Sequence, residues 1–163
     1  MTDPLRLEIL SLLEDNARLS AEQIAHMLDV SVETVEKIIE EFHAQGVILK
    51  YGAVVHWCKV GQQRVNALVD VKVTPQHGYG FDSVARRIYL FPEVQSVYLM
   101  SGAYDLSVAL EVGSMEEVGR FVEKLASFDF VVSTTTHFVL KKYKEDGIIL
   151  DEPDKDQRLV ISP

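Results

Sequence analysis

The hydrophobic rhythm of the chain changes once. Over the first 46 residues apolar side chains return at intervals of three and four, the period of packed helices. Leu5, Ile9, Leu12 and Leu13 make the first stripe. Asp3 and Pro4 open it, an N-cap followed by a residue suited to the first helical turn. The run SAEQ, Ser20 to Gln23, is a capping box for a second helix with Ile24, Ala25 and Leu28 inside. Asp29 and Val30 leave room only for a tight turn. Ser31 then caps a third helix with Val35, Ile38, Ile39 and Phe42 inside, and Gly46 stops it. The following VILKYGAVV reads as a strand that leads out of this region.

From Val65 the period becomes two. VNALVDVKV is a β-branched, alternating strand. FDSVARRIYLF returns to helical spacing through Phe81, Val84, Ala85, Ile88 and Tyr89. VQSVYLMSG and YDLSVALEV are two strands joined by a tight turn around Gly102. SMEEVGRFVEKLA opens with a capping box, Ser114 to Glu117, and buries Val118, Phe121, Val122 and Leu125. FVVSTTTHFVLKKY is the last strand. The order βαββαβ predicts a ferredoxin-like sheet with two helices on one face. Leu106, Val108, Leu110 and Val112 point one way, while Ser107 and Ala109, small and uncharged, point the other. Val132 and Phe138 oppose Val131 and Val139, so both faces carry apolar residues. The face that the helices leave bare is therefore expected to bury itself against a second copy. The closing DEPDKDQRLVISP starts acidic and ends apolar, as a tail or a docking arm does.

The expected class is α+β, with a helix-turn-helix over residues 1–50, a connecting strand or linker over 51–64, the βαββαβ domain over 65–145 and a tail over 146–163. A length of 163 residues accommodates one medium domain or two small ones. No apolar run is long enough to cross a membrane, and MTDPLRLEIL lacks the basic start and small-residue cleavage site of a signal peptide. Cys58 is the single cysteine, so an intramolecular disulfide is impossible and a cytoplasmic location is expected.

Charge complicates the picture. The net charge is −9, and residues 1–50, with four Lys and Arg against ten Asp and Glu, hold −6 of it. The third helix carries Glu33, Glu36, Glu40 and Glu41 against Lys37 alone. It has the position and apolar spacing of a DNA-reading helix but not the usual charge, since DNA is a polyanion held by Lys and Arg.

Three features together resemble the Lrp/AsnC (feast/famine) family of transcription regulators. They are the turn Asn16-Ala17-Arg18-Leu19-Ser20, the GVI at Gly46 to Ile48, and the Gly102/Asp105 pair in VQSVYLMSGAYDLSV. The resemblance spans nearly the whole chain. It implies a winged-helix-like helix-turn-helix for double-stranded DNA and a βαββαβ (RAM) domain that senses a small effector, an amino acid. It also implies a homodimer that assembles further into a tetramer or octamer, with the effector between dimers. The sequence departs from the family in its scarcity of Arg and Lys on the reading helix and in Asp29, where glycine is usual.

The first residues of a reading helix meet base edges. Ser31 and Thr34 can bond phosphates or bases, Glu33 can accept from a cytosine amino group, and Lys37, Lys50 and Arg18 can reach phosphates, as can Lys59 and Arg64. The plain alternative is a three-helix dimerisation domain with a solvated acidic face. In the loop, the amides around Ser101, Gly102, Ala103 and Tyr104 suit a carboxylate, and Asp105 suits an α-ammonium. The plain alternative there is an ordinary hairpin whose aspartate satisfies the turn. Through the resemblance, Thr134 and Thr136 become effector contacts; without it, STTTHF is simply good strand sequence.

The five histidines, His26, His43, His56, His77 and His137, show no metal-ligand spacing, so no metal and no cofactor is expected. HGYGF holds a lone GxG, too little for a nucleotide loop. The leading expectation is a DNA-binding regulator rather than an enzyme. Two alternatives stay open: an effector-sensing oligomer whose degenerate head meets a protein partner, and a sirohaem-decarboxylase-like enzyme of the same layout.

Overall fold

The computed structural model of the chain describes residues 3–74 and 80–150. The chain divides into two compact units, residues 1–54 and 55–163.

The first unit holds three helices, α1 (Pro4–Asp15), α2 (Ala21–Leu28) and α3 (Val32–Ala44). Their starts are the ones the caps announce. The Asp3 carboxylate accepts the Leu5 N–H. Ser20 and Gln23 each take the other's backbone N–H, at 3.3 and 2.9 Å. Asp29, between α2 and α3, adopts a left-handed φ of 54°, which a short polar side chain tolerates. At the end of α3, Gly46 sits at φ +67° and donates to His43 O, while Val47 donates to Phe42 O at 2.8 Å. This pair of bonds satisfies the last carbonyls and is why glycine is needed there. Ile9, Leu13, Ile24, Ala25, Val35, Ile38 and Phe42 form the buried core, each large side chain contributing roughly 1.5–3 kcal/mol by leaving water.

The expected strand after Gly46 does not form. Val47 to Val55 has no ladder partner among the described residues, and Leu49 is 86% exposed. Alternating apolar residues mark a segment as ready to pair, but a strand needs a second backbone for its N–H and C=O groups. His43 Nε2, 3.2 Å from the Tyr51 hydroxyl, ties this segment to α3.

The second unit contains a 3₁₀ turn (Trp57–Val60), β1 (Val65–Val73), α4 (Phe81–Tyr89), β2 (Val94–Leu99), β3 (Leu106–Val112), α5 (Met115–Ala126), β4 (Val131–Phe138), β5 (Lys144–Glu145) and β6 (Ile148–Ile149). The four long strands form an antiparallel sheet in the order β2-β3-β1-β4. Ala67, Val69, Val71, Leu106, Val108 and Leu110 face α4 and α5 and pack against Val84, Ile88, Val118, Phe121 and Leu125.

Several local readings change. Six residues, Met100 to Asp105, separate β2 from β3, so the connection is a loop and not a tight turn. The α5 box is half formed. Ser114 Oγ takes the Glu117 N–H, but the Glu117 carboxylate accepts from Gly113 rather than Ser114. A bulge where Lys72 pairs with Ser133 but Val73 with Val131 leaves Val132 out of step. Phe138 pairs opposite Ala67, on the helix side. The open face carries Leu68 and Tyr98 beside Asp70, Lys72, Glu111, Thr135 and His137, and is therefore more polar than strict alternation suggested. Finally, β5 and β6 pair around Asp146 and Gly147, both at positive φ as a two-residue hairpin turn requires. This hairpin occupies the first part of the stretch read as a tail. Residues 151–163, read as a tail or arm, and His77 with the start of HGYGF lie outside the described residues.

Candidate functional site

The first candidate surface is α3. Ser31 Oγ accepts the Thr34 N–H at 3.2 Å and lies 2.9 Å from Thr34 Oγ1, so the two hydroxyls form one exposed unit at the helix start. At 3.6 residues per turn, Glu33, Lys37 and Glu40 fall on the ridge opposite buried Val35, Ile38 and Phe42. The four glutamates are not equivalent. Glu41 Oε2 accepts from Arg6 Nη1 at 2.6 Å, and Arg6 also lies over the Phe42 ring at 4.7 Å. The hydrogen bond from Arg6 holds the Glu41 carboxyl below the ordinary glutamate range. One of the negative charges is thus spent inside the unit, with Glu33, Glu36 and Glu40 left exposed.

Ser31, Glu33, Thr34 and Lys37 therefore come together at the exposed start of one helix. Arg18 and Lys50 lie on other segments. Arg18 follows α1 in a turn where its N–H donates to Asn16 Oδ1. Lys50 lines a largely apolar groove with Leu10, Leu13, Glu14, Ala17 and Tyr51.

The second candidate surface is the loop from Met100 to Asp105. Met100 N–H donates to Asp105 O at 2.8 Å, and Asp105 N–H donates to Val71 O at 3.0 Å. Gly102 has φ +148°, with open space where a side chain would begin. Backbone conformation, not crowding, calls for glycine here. The Asp105 carboxylate already has partners: it accepts the Val73 N–H at 2.9 Å and Lys72 Nζ at 3.0 Å. These bonds, the backbone one foremost, hold its carboxyl below the usual aspartate range. The carboxylate read as waiting for an ammonium is thus already paired with one.

Tyr104 reaches across to β4, where its hydroxyl lies 2.5 Å from Thr135 Oγ1. Thr135 pairs opposite Asp70 on the open face, and His137 Nε2 lies 3.3 Å from Asp70 Oδ2. Thr134 and Thr136, the expected contacts, pair opposite buried Val71 and Val69 on the helix side. The β4 residue that meets the loop is Thr135. Lys72 and Thr135 are the residues sequence reasoning missed. Alternation along β1 places Asp70 and Lys72 on one face, but the pairing of Lys72 with Asp105, 33 positions on, and of Asp70 with His137, on another strand, depends on how the strands are placed. Among the described residues no group of three His, Cys, Asp or Glu can hold a metal ion, and no helix is long and apolar enough to cross a membrane.

The chain thus carries a three-helix unit with a serine-capped third helix, followed by an antiparallel sheet under two helices. Residues 2–48 match the winged helix-turn-helix DNA-binding family model, and residues 66–149 match the Lrp/AsnC ligand binding domain. The chain belongs to the Lrp/AsnC family. It is 53% identical over 158 residues to YugG of Bacillus subtilis, described as an uncharacterized HTH-type transcriptional regulator, covering 96% of this chain and 95% of that protein. The regulator PF1734 of Pyrococcus furiosus, described in the same words, is 34% identical over 88% of this chain and 95% of its own length. Among solved structures, Escherichia coli AsnC shares the fold with a TM-score of 0.70 at 23% identity, over 89% of this chain and 96% of that one. The Neisseria meningitidis regulator NMB0573, solved as a complex with L-Met, does so with a TM-score of 0.72 at 22% identity, over 89% and 94%.

Proposed function

We propose that this regulator binds operator DNA through the start of α3 and responds to an amino acid held at the Met100–Asp105 loop. The observation that carries the DNA reading is the Ser31–Thr34 unit beside Glu33 and Lys37 at the exposed N-terminal end of α3. Helix N-termini suit phosphates, hydroxyls suit phosphates or base edges, and a carboxylate suits a cytosine amino group. Arg18 and Lys50 add phosphate contacts. Residues 1–50 act as the head, 51–64 as the linker and 65–145 as the sensing and assembly domain, in the cytoplasm where the operator lies.

A head with so few cations is expected to bind weakly alone, and assembly into a homodimer and then a tetramer or octamer raises its affinity by avidity. Apolar residues left exposed on the second unit, among them Tyr98, Leu99, Phe138 and Leu140, support assembly through that unit. At the loop, the effector carboxylate meets the amides of Ser101, Gly102 and Ala103, and its ammonium takes the place of Lys72 on Asp105. The L-Met complex of the Neisseria meningitidis relative favours an amino acid as the class of effector.

A gel shift on the DNA upstream of its own gene, at low and high salt and with and without the twenty amino acids, tests this reading. The expected outcome is a salt-sensitive complex whose strength or stoichiometry changes with one effector. Absence of any complex at low salt, with effector present, overturns the DNA reading and favours a head that meets a protein.

A further inference from the structure

The stretch before β1 is folded. Trp57–Val60 form a 3₁₀ turn, closed by Gly61 at φ +73° and by the Gln62 N–H donating to Trp57 O at 3.1 Å. Arg64 Cζ lies 3.8 Å from the centre of the Trp57 ring. The same guanidinium ion-pairs through Nη1 with Glu111 Oε1 on β3. The other Glu111 oxygen lies 3.8 Å from Lys142 Nζ, in the chain after β4, and Lys142 pairs in turn with Glu145 on β5. One carboxylate therefore gathers the end of the linker, an inner strand of the sheet and the C-terminal hairpin.

We propose that Arg64, stacked on Trp57 and paired with Glu111, is a latch that holds the linker turn to the sheet and releases it when Glu111 is drawn away. Its chemistry suits opening. Trp57 and the Arg64 side chain are each 37% exposed. The Glu111 side chain is 20% exposed, so the pair is partly open to water, where solvent and salt weaken it, and a cation over a partly exposed indole adds only a modest attraction. A permanent brace would bury apolar surface instead. Sharing Glu111 with Lys142 makes the latch responsive: any shift of the hairpin that strengthens Lys142–Glu111 competes with Arg64. The turn begins three residues after Val54, the last residue of the first unit, so latch opening lengthens the free tether of the head. The inference does not depend on the identity of the effector or on DNA binding.

Trp57 is the single tryptophan of the chain, so intrinsic fluorescence of the full-length protein reads the latch directly. Arg64→Ala and Glu111→Gln are each expected to shift emission to the red and raise acrylamide quenching at least about twofold, because the ring loses its cation or the cation loses its anchor. Arg64→Lys, which keeps charge but not the flat stacking surface, is expected to fall between them and the unmodified protein. Salt at about 1 M is expected to open the unmodified protein and to leave Arg64→Ala unchanged. Far-UV circular dichroism confirms that each variant is folded, and if Arg64→Ala is not, Glu111→Gln decides. Unchanged emission and quenching in the folded variants overturn the latch, as does a salt-insensitive signal in the unmodified protein.

Discussion

Arg6 and Glu41, thirty-five residues apart, meet at 2.6 Å and join the first helix of the head to the last turn of the third. The contact removes one glutamate from the account of an acidic reading helix. It also has a pH signature. Arg6 holds the Glu41 carboxyl below its ordinary value. A carboxylate so depressed contributes its stability in full above the unfolded value and loses it as pH falls through the folded one. Thermal unfolding followed from neutral to acid pH is expected to show a decline that Glu41→Gln makes shallower. Arg6→Ala is expected to lower the melting temperature more than Glu41→Gln, because it also strips packing from Phe42.

On α3, the hydroxyls and the charges are expected to separate in their effects. Thr34→Ala relaxes discrimination at one base pair by about 1–3 kcal/mol. Lys37→Ala weakens binding to all sequences and flattens the salt dependence. Glu40→Gln, on the same ridge, strengthens non-specific binding by removing a repelled charge. Fluorescence anisotropy against operator and random duplexes over a salt series measures all three.

At the loop, Gly102→Ala tests whether backbone conformation is the constraint. The side chain has space, but φ +148° is disfavoured for any residue with a Cβ. The expected cost is about 1–3 kcal/mol in the stability of the second unit. Denaturant unfolding measures it, and a neutral substitution contradicts it.

The Lys72–Asp105 pair sets a competition. If an effector ammonium replaces Lys72, then Lys72→Ala frees Asp105 and tightens effector binding, while Asp105→Asn weakens it. Because Val73 and Lys72 depress the Asp105 carboxyl, the pairing holds above the ordinary aspartate range and fails as pH drops through the lowered folded value. Calorimetry of the two variants, with the unmodified protein at neutral and acid pH, gives these signs or refutes them.

The sequence by itself determined whatever a few neighbouring residues decide. Ser20, Ser31 and Gly46 announced the helix ends because capping bonds span three to six residues. Asp29 took its left-handed turn for the same local reason. The alternation of β1 and β3 separated core from open face because the strand period is two. Asp146-Gly147 belongs to this class too, a turn signal legible in the sequence that the reading of residues 146–163 as a tail passed over. The tertiary structure alone decided which distant groups meet. One bulge at β4 put Val132 out of step. Strand register gave Asp105 to Lys72 and Val73, and Tyr104 to Thr135 rather than to Thr134 or Thr136. Helix packing gave Glu41 to Arg6. Val47 to Val55, with a strand's composition but no neighbouring backbone to bond, stayed unpaired. Periodicity tells a segment what it can become, and only the placement of a partner across the fold supplies the bonds that make it so.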